Sequence, residues 1–321
     1  SKVDKAFSNS LRIPFPKKAV RVVISERIKK SGQLSPLFSF EIDPEDFSIN
    51  RDRENDFEVV QVLYNGPSKN KVDLVFVAEG YRADEMEKYR RDVEKFAGYL
   101  FDIEPYKSRK NDFNVWAVES ISVDSGTDIP HQNIWKNTVA SSNFYTFFID
   151  RYLTAPDHKK VAQLVSNAPC DAIYVIVNTD KYGGGGIYNY YGLGMSDNKY
   201  EAEVLVHEFG HSFAGLGDEY YDSEVAYEDM YDMSVEPWEP NLTTLADFSS
   251  KWAYMVSEGT PIPTPNEEAY NGVVGAFEGG RYSAKGIYRP YFDCRMKSNS
   301  AEGFCPVCNA AIQRMIDYYC K

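Results

Sequence analysis

Val206-His207-Glu208-Phe209-Gly210-His211-Ser212-Phe213-Ala214-Gly215-Leu216-Gly217-Asp218-Glu219-Tyr220 is the stretch that decides how the chain is read. Residues four apart share a helix face, so His207 and His211 can turn both imidazoles to one side and grip a single zinc ion. Glu208, beside them, can reach a water at that ion as its general base. Ala202, Val204, Leu205, Val206, Phe209 and Phe213 supply apolar surface for such a helix, and Gly215 is placed to stop it just past the last turn. The whole chain holds 4 histidines, and two of them fall in this one His-Glu-x-x-His. The competing reading is a core helix whose histidines are satisfied by hydrogen bonds, but burying two such groups side by side without a metal is costly.

A catalytic zinc keeps three protein ligands and one open position. His131, after Pro130, and His158, after Asp157, read as surface histidines in loop or helix-start settings. Asp218 is better placed, because Gly215 and Gly217 let the chain reverse and swing a short carboxylate back to the metal. Glu219 is the nearest competitor, and Glu224 or Glu228 would serve if a second helix supplied the ligand.

The rest of the composition narrows the classes. At 321 residues, 43% hydrophobic and 15% aromatic, the chain can build a substantial core, as two domains or as one large domain with a small appendage. A formal charge of −13 argues against nucleic acid or an anionic membrane as the main partner. No apolar run approaches the ~20 residues that cross a bilayer. Ser1-Lys2-Val3-Asp4 shows no charged-then-apolar pattern, so any export signal has been removed or never existed. Of the five cysteines, Cys294, Cys305, Cys308 and Cys320 lie late in the chain and Cys170 apart. Cys305-Pro306-Val307-Cys308 fits a structural zinc, a redox pair or disulfides. A structural zinc needs four ligands, and with no histidine nearby both Cys294 and Cys320 would have to join. Disulfide use is favoured, Cys294 with Cys305 or Cys308, which would suit an exported protein.

Residues 1–68 read as a small β-rich domain, a sandwich or part of one, serving equally well as an accessory module or as a structural prop. Its runs are Val20–Ser25, Leu37–Ile42 and Phe57–Leu63, and Asn65-Gly66-Pro67-Ser68-Lys69-Asn70 marks its boundary. Residues 69–321 read as the catalytic domain. Val72–Ala78, Phe113–Ile121 and Ala172–Val177 are expected strands. Between them fall a helix from Asp84 onward and helical spacing at Phe144–Ile149 and Lys159–Val165, an α/β alternation that implies a largely parallel sheet. Gly183-Gly184-Gly185-Gly186 lacks the Lys-Ser or Lys-Thr of a phosphate loop. It is either a flexible loop or an edge strand beside the cleft, along which a peptide could be added as a further strand. Tyr221–Phe292 is irregular, with one helix expected over Leu245–Val256 carrying Trp252, and Asn309–Tyr319 is an amphipathic helix. Asp222, Glu224, Glu228, Asp229 and Asp232 could bind calcium, but their spacing does not match the helix-loop-helix calcium loop and reads better as a solvated acidic face.

The string His-Glu-Phe-Gly-His-Ser-Phe-Ala-Gly-Leu-Gly-Asp-Glu-Tyr, with Asp293-Cys294-Arg295-Met296 and Phe304-Cys305-Pro306-Val307-Cys308, resembles the IgA metalloendopeptidase family of metzincin-like, mainly bacterial zinc peptidases. The resemblance spans roughly residues 70–321. It implies His207, His211 and Asp218 as metal ligands, Glu208 as base, and Met296 as the methionine of a turn beneath the zinc. The usual metzincin pattern puts its glycine three residues after the second histidine and its ligand six after. Here Ala214 and Gly217 hold those places, and Gly215 and Asp218 lie one further on. The same likeness suggests a tyrosine near the methionine turn for the carbonyl oxygen, with Tyr288 and Tyr291 as candidates. The expected activity is zinc endopeptidase action on a protein substrate. A zinc aminopeptidase with a glutamate ligand, or a catalytically silent binding or adhesion protein, stands as the alternative.

Overall fold

The computed structural model describes residues 11, 13, 15–51, 56–221 and 231–320. Its elements in chain order are β1 (Val20–Arg27), β2 (Leu34–Ile42), β3 (Val59–Leu63), β4 (Val72–Glu79), α1 (Met86–Asp102), β5 (Phe113–Val118), α2 (His158–Leu164), β6 (Ala172–Val177), β7 (Gly184–Ile187), β8 (Tyr191–Met195), α3 (Glu201–Ala214), β9 (Phe277–Gly280), β10 (Ser283–Arg289) and α4 (Pro306–Tyr319). Six strands form one sheet in the order β3-β5-β4-β6-β8-β7. The four inner strands run parallel, and β3 and β7 close the two edges antiparallel to their neighbours.

β4 is buried along its whole length, as its nearly all-apolar run requires of a strand covered on both faces. The pleat sends Leu74, Phe76 and Ala78 to one side and Val75 and Val77 to the other, into two separate cores. The first core holds α1, α3 and α4, with Phe96, Leu205, Phe209 and Ile312 fully buried. The second lies under α2 and the long connection before it, with Phe144, Leu153 and Val161. Glu79, at the end of β4, is fully buried and pins that connection. Its carboxylate accepts from Thr138 Oγ1 at 2.6 Å, Ala140 N–H at 2.7 Å and Ser142 N–H at 2.8 Å.

Four local expectations change. The run at Val59–Leu63, grouped by sequence with the N-terminal segment, pairs with β5 in the large sheet. What precedes it among the described residues is a two-stranded hairpin of β1 and β2, with Leu37 and Phe38 exposed and no opposing sheet to make a sandwich. Phe144–Ile149 is not a helix but a single 3-10 turn, with positive φ at Tyr145, Phe147 and Phe148. Its aromatic residues only mimic helical spacing: Phe144 enters the core while Phe147 and Phe148 face out. Leu245–Val256 forms two short 3-10 turns, Phe248–Ser250 and Ala253–Met255, rather than one helix. Trp252, buried between them, donates its indole N–H to Gly275 O at 2.7 Å, so a tertiary anchor replaces helical hydrogen bonding. Finally, no disulfide joins the cysteines. Cys294, Cys305 and Cys308 converge with Glu219, and Cys320 sits elsewhere, against Asp112 O. Of the acids considered for calcium, Asp222, Glu224, Glu228 and Asp229 lie outside the described residues, and Asp232 binds Ser234 locally.

Candidate metal centre

α3 carries His207, Glu208 and His211, and it ends where the sequence places its stop. Gly215 takes the left-handed conformation at φ 65°, with its N–H bonded to His211 O at 3.0 Å. Leu216, the next residue, turns its carbonyl back to His211 Nδ1 at 2.5 Å. Gly217 is then held on both sides by the Asn241 amide, N–H to Oδ1 at 2.7 Å and Nδ2 to carbonyl at 2.9 Å. This bend delivers Asp218 to the helix face. Its Oδ1 lies 3.1 Å from His207 Nε2 and 3.0 Å from His211 Nε2, and the two Nε2 atoms are 3.0 Å apart.

The hydrogen bonds on the far sides of the rings decide what the centre can hold. His207 Nδ1 lies 3.0 Å from Arg295 O, and His211 Nδ1 faces Leu216 O. A carbonyl only accepts, so each Nδ1 carries the hydrogen and each neutral Nε2 presents a lone pair. Two lone pairs and a carboxylate oxygen therefore meet within about a hydrogen-bond length, an arrangement that only a proton or a cation between them relieves. Nitrogen and oxygen ligands at ~2.0–2.1 Å around a tetrahedral zinc stand ~3.3 Å apart. The observed 3.0–3.1 Å separations are a few tenths tighter, so the donor set and spacing both fit such an ion.

The protein's own electrostatics favour a proton shared between the imidazoles and Asp218, in the place a cation would take. Burial works against charge on His207, yet the Asp218 hydrogen bond and the nearby Glu208 lift it to about 9. Burial likewise opposes ionisation of Asp218, but the charge of His211 and the bonds from both imidazoles hold it well below the usual carboxylate range. Glu208 is raised by burial, with the two histidines pulling the other way. His207, Glu208 and His211 offer ligand atoms within 4.8 Å of one another. Glu208 also lines a cleft of about 340 Å³ whose walls include Arg151, Tyr152, Gly184, Tyr220 and Lys297.

Support comes from segments remote in sequence. Tyr282 donates its hydroxyl to Asp218 Oδ2 at 2.7 Å, and Arg281 Nη1 stands 3.4 Å from the same oxygen. The hydroxyls of Tyr152 and Tyr220 each lie 3.0 Å from that of Tyr282, and Tyr220 stacks its ring on His207. Met296 is fully buried under α3. A Cβ on Gly210 would come within 3.0 Å of its sulfur, so the glycine between the two histidines admits this turn. On the other side β7 presses against the helix. A Cβ at Gly184 would meet Glu208 Oε1 at 3.1 Å, and one at Gly186 would meet Glu208 O at 2.5 Å. The glycine run is thus an edge strand beside the cleft, and Tyr152–Leu153 already occupies part of its outer edge through Leu153 N–H to Gly184 O at 3.4 Å.

Glu219, adjacent to Asp218, points away from the histidines. Its Oε1 accepts from Asn241 at 2.9 Å and lies 3.2 Å from Cys308 Sγ. His131 pairs with Asp150 and His158 packs on Tyr190 and Tyr191, so neither joins the centre. Glu224 and Glu228 lie outside the described residues. Tyr288, on β10, has its backbone bonded to Thr243, and Tyr291 packs against the core. Among the described residues the tyrosine whose hydroxyl bonds to Asp218 is Tyr282, for which only its position among 24 tyrosines was visible in sequence. The chain matches the family described as IgA Peptidase M64 over residues 60–270 and 266–316. A comparison with curated proteins finds no significant match.

Proposed function

The chain belongs to the IgA peptidase M64 family, and on that premise we propose that it is a zinc-dependent endopeptidase with Glu208 as general base and His207, His211 and Asp218 as the metal ligands. Membership makes it a peptidase acting on protein or peptide. The observation that carries the finer reading is the convergence of His207 Nε2, His211 Nε2 and Asp218 Oδ1 within 3.0–3.1 Å of one another at the rim of the cleft lined by Glu208. A bound zinc would lower the pKa of water toward ~7 and polarise the scissile carbonyl. Glu208 takes the proton from the attacking water and passes it to the amine nitrogen as the peptide bond breaks. Arg151, whose guanidinium carbon lies 5.7 Å from the ring centre of Tyr152 and 5.8 Å from that of Tyr220, fixes a positive charge in the cleft wall. With the Tyr220 hydroxyl it is the chain's own means of stabilising charge that develops on the carbonyl oxygen.

The cleft favours endopeptidase over aminopeptidase action. An aminopeptidase must hold a free ammonium group, which calls for acidic residues. Apart from Glu208, the charged groups among the described lining residues are the cations Arg151 and Lys297. The expectation of export loses its cysteine support, since no disulfide forms. The family name, which refers to an extracellular immunoglobulin, is what still supports it. No helix among the described residues is long and apolar enough to cross a membrane. Fold likeness carries no particular substrate to this chain. The purified Glu208→Gln protein should retain zinc and lose cleavage of a peptide library read by mass spectrometry; undiminished cleavage would refute the assignment.

A further inference from the structure

A second group of metal-ligating side chains lies behind the first. Cys294, Cys305, Cys308 and Glu219 bring three sulfurs and a carboxylate oxygen within 4.8 Å of one another. All four are buried, two of the cysteines and Glu219 completely. We propose that these residues form a closed, structural metal site for a zinc-class divalent cation, separate from the histidine centre and locking the catalytic bend to the methionine turn.

The geometry suits that ion. Zinc–sulfur bonds of ~2.3 Å in a tetrahedron place the sulfurs ~3.8 Å apart and a sulfur ~3.5 Å from a carboxylate oxygen. Cys294 Sγ and Cys308 Sγ are 3.8 Å apart, and Cys308 Sγ is 3.2 Å from Glu219 Oε1. The sulfurs are also arranged as thiolates are in metal sites. Cys305 N–H donates to Cys294 Sγ at 3.2 Å, and Cys308 N–H points at Cys305 Sγ at 3.5 Å. Cys305 caps the N-terminus of α4, where the helix dipole favours a negative sulfur. Glu219 Oε2 is buried with no hydrogen-bond partner, a costly state for a carboxylate that a cation would relieve. Three soft sulfur ligands and one oxygen, all on buried residues, select zinc for structure rather than for catalysis.

The rival chemistries fit less well. A disulfide needs sulfurs at ~2.05 Å, would use two thiols, and would leave the third beside an unrelieved carboxylate. A redox pair must meet a partner thiol, but Cys305 and Cys308 are 3% and 0% exposed. Occupation needs no oxidant: each thiol that binds releases its proton to solvent as the sulfur–metal bond forms. The consequence is mechanical. Glu219 follows Asp218 directly and donates its N–H to Met296 O at 2.8 Å, and Cys294 lies two residues before Met296. One ion would therefore anchor the proposed third ligand of the catalytic centre and the turn beneath it.

The test uses the full-length wild-type protein, exchanged with cobalt, together with zinc content per chain and intact mass by native mass spectrometry. Expected are two zinc ions per chain and a cobalt spectrum with thiolate-to-metal charge transfer, which ligands drawn from His207, His211 and Asp218 cannot produce. Cys305→Ser should lower the count by one and remove that band, while His207→Ala/His211→Ala should lower the count by one and keep it. The wild-type spectrum decides even if a variant fails to fold. One zinc with the thiolate band would remove the histidine centre and leave this site standing. One zinc without the band, no metal at all, or a mass two hydrogens short in an unmetallated cysteine cluster would each overturn it.

Discussion

Tyr282→Phe removes one hydroxyl from the far side of the proposed catalytic centre and should weaken both metal binding and turnover. Asp218 is buried, and its Oδ2 takes a short bond from Tyr282 at 2.7 Å, with Arg281 at 3.4 Å too distant to replace it. A hydrogen bond to a buried carboxylate contributes about 1.5–3 kcal/mol, which corresponds to roughly 10- to 100-fold in affinity. The loss has a second part, because the Tyr152 and Tyr220 hydroxyls, each 3.0 Å from the Tyr282 oxygen, lose their shared partner. Tyr282 acts as a positioning residue: with Oδ2 occupied, Asp218 offers Oδ1 alone to the histidine side. Zinc affinity should be measured by competition against a chromophoric chelator at fixed pH, with kcat/KM on a cleaved peptide followed in parallel. Tyr288→Phe, on β10 just after the turn that holds Tyr282 but with its backbone bonded to Thr243, should change neither. Zinc affinity and kcat/KM both unchanged in Tyr282→Phe would refute the claim that this hydroxyl orients the carboxylate.

Four further substitutions, one of them a control, test the frame around the centre. In Gly186→Ala the new Cβ would lie 2.5 Å from Glu208 O and 2.7 Å from His211 Cβ, both fixed by the helix, so β7 must part from α3. A displacement of about an ångström at the base should lower kcat/KM by roughly 100-fold, whereas Gly98→Ala, with nothing within 4 Å on α1, should stabilise by ~0.5–1 kcal/mol in urea unfolding. Glu79→Ala strips three buried donors of their acceptor and should cost about 3 kcal/mol or more, read as a fall in the urea midpoint at unchanged slope. Asp197 titrates low because its bonds from Lys88 and Ser196 outweigh the burial that would raise it. Its contribution is therefore present above the unfolded aspartate value of ~3.9 and is lost as pH falls through the folded value. Since Asp197 is 40% exposed, Asp197→Asn should cost under ~1 kcal/mol near neutral pH. Urea unfolding across pH should show the difference from wild type vanish in acid; a constant offset would contradict the assignment.

The parts of this molecule that sequence disclosed are those whose physics is local. Helical spacing placed His207 and His211 on one face, the positive φ of Gly215 ended α3 where its glycine implied, the nearly all-apolar run Val72–Ala78 marked β4 as covered on both sides, and Ala172–Val177 marked β6 as a strand. The misreadings have a common cause in contacts between distant segments. Aromatic spacing at Phe144–Ile149 imitated a helix, but Phe144 is fixed by the second core while its neighbours face out. Val59–Leu63 joined the large sheet because β5 offered an open edge, which no local window shows. Cys320 was needed for a four-ligand count only while Glu219 was assigned to the other side, since nothing in a single carboxylate's sequence context tells which way it points. The shifted position of Asp218, the proposed third ligand, shows the same dependence. One extra residue between His211 and the carboxylate lets Leu216 turn its carbonyl to His211 Nδ1, and Asn241 then clamps Gly217 so that the lengthened bend keeps a single shape. Local spacing alone would count that residue as a defect in the motif. Asn241, 24 positions beyond Gly217, makes it part of the site, because the same amide reaches Glu219 Oε1 and so sends the two adjacent acids to opposite centres.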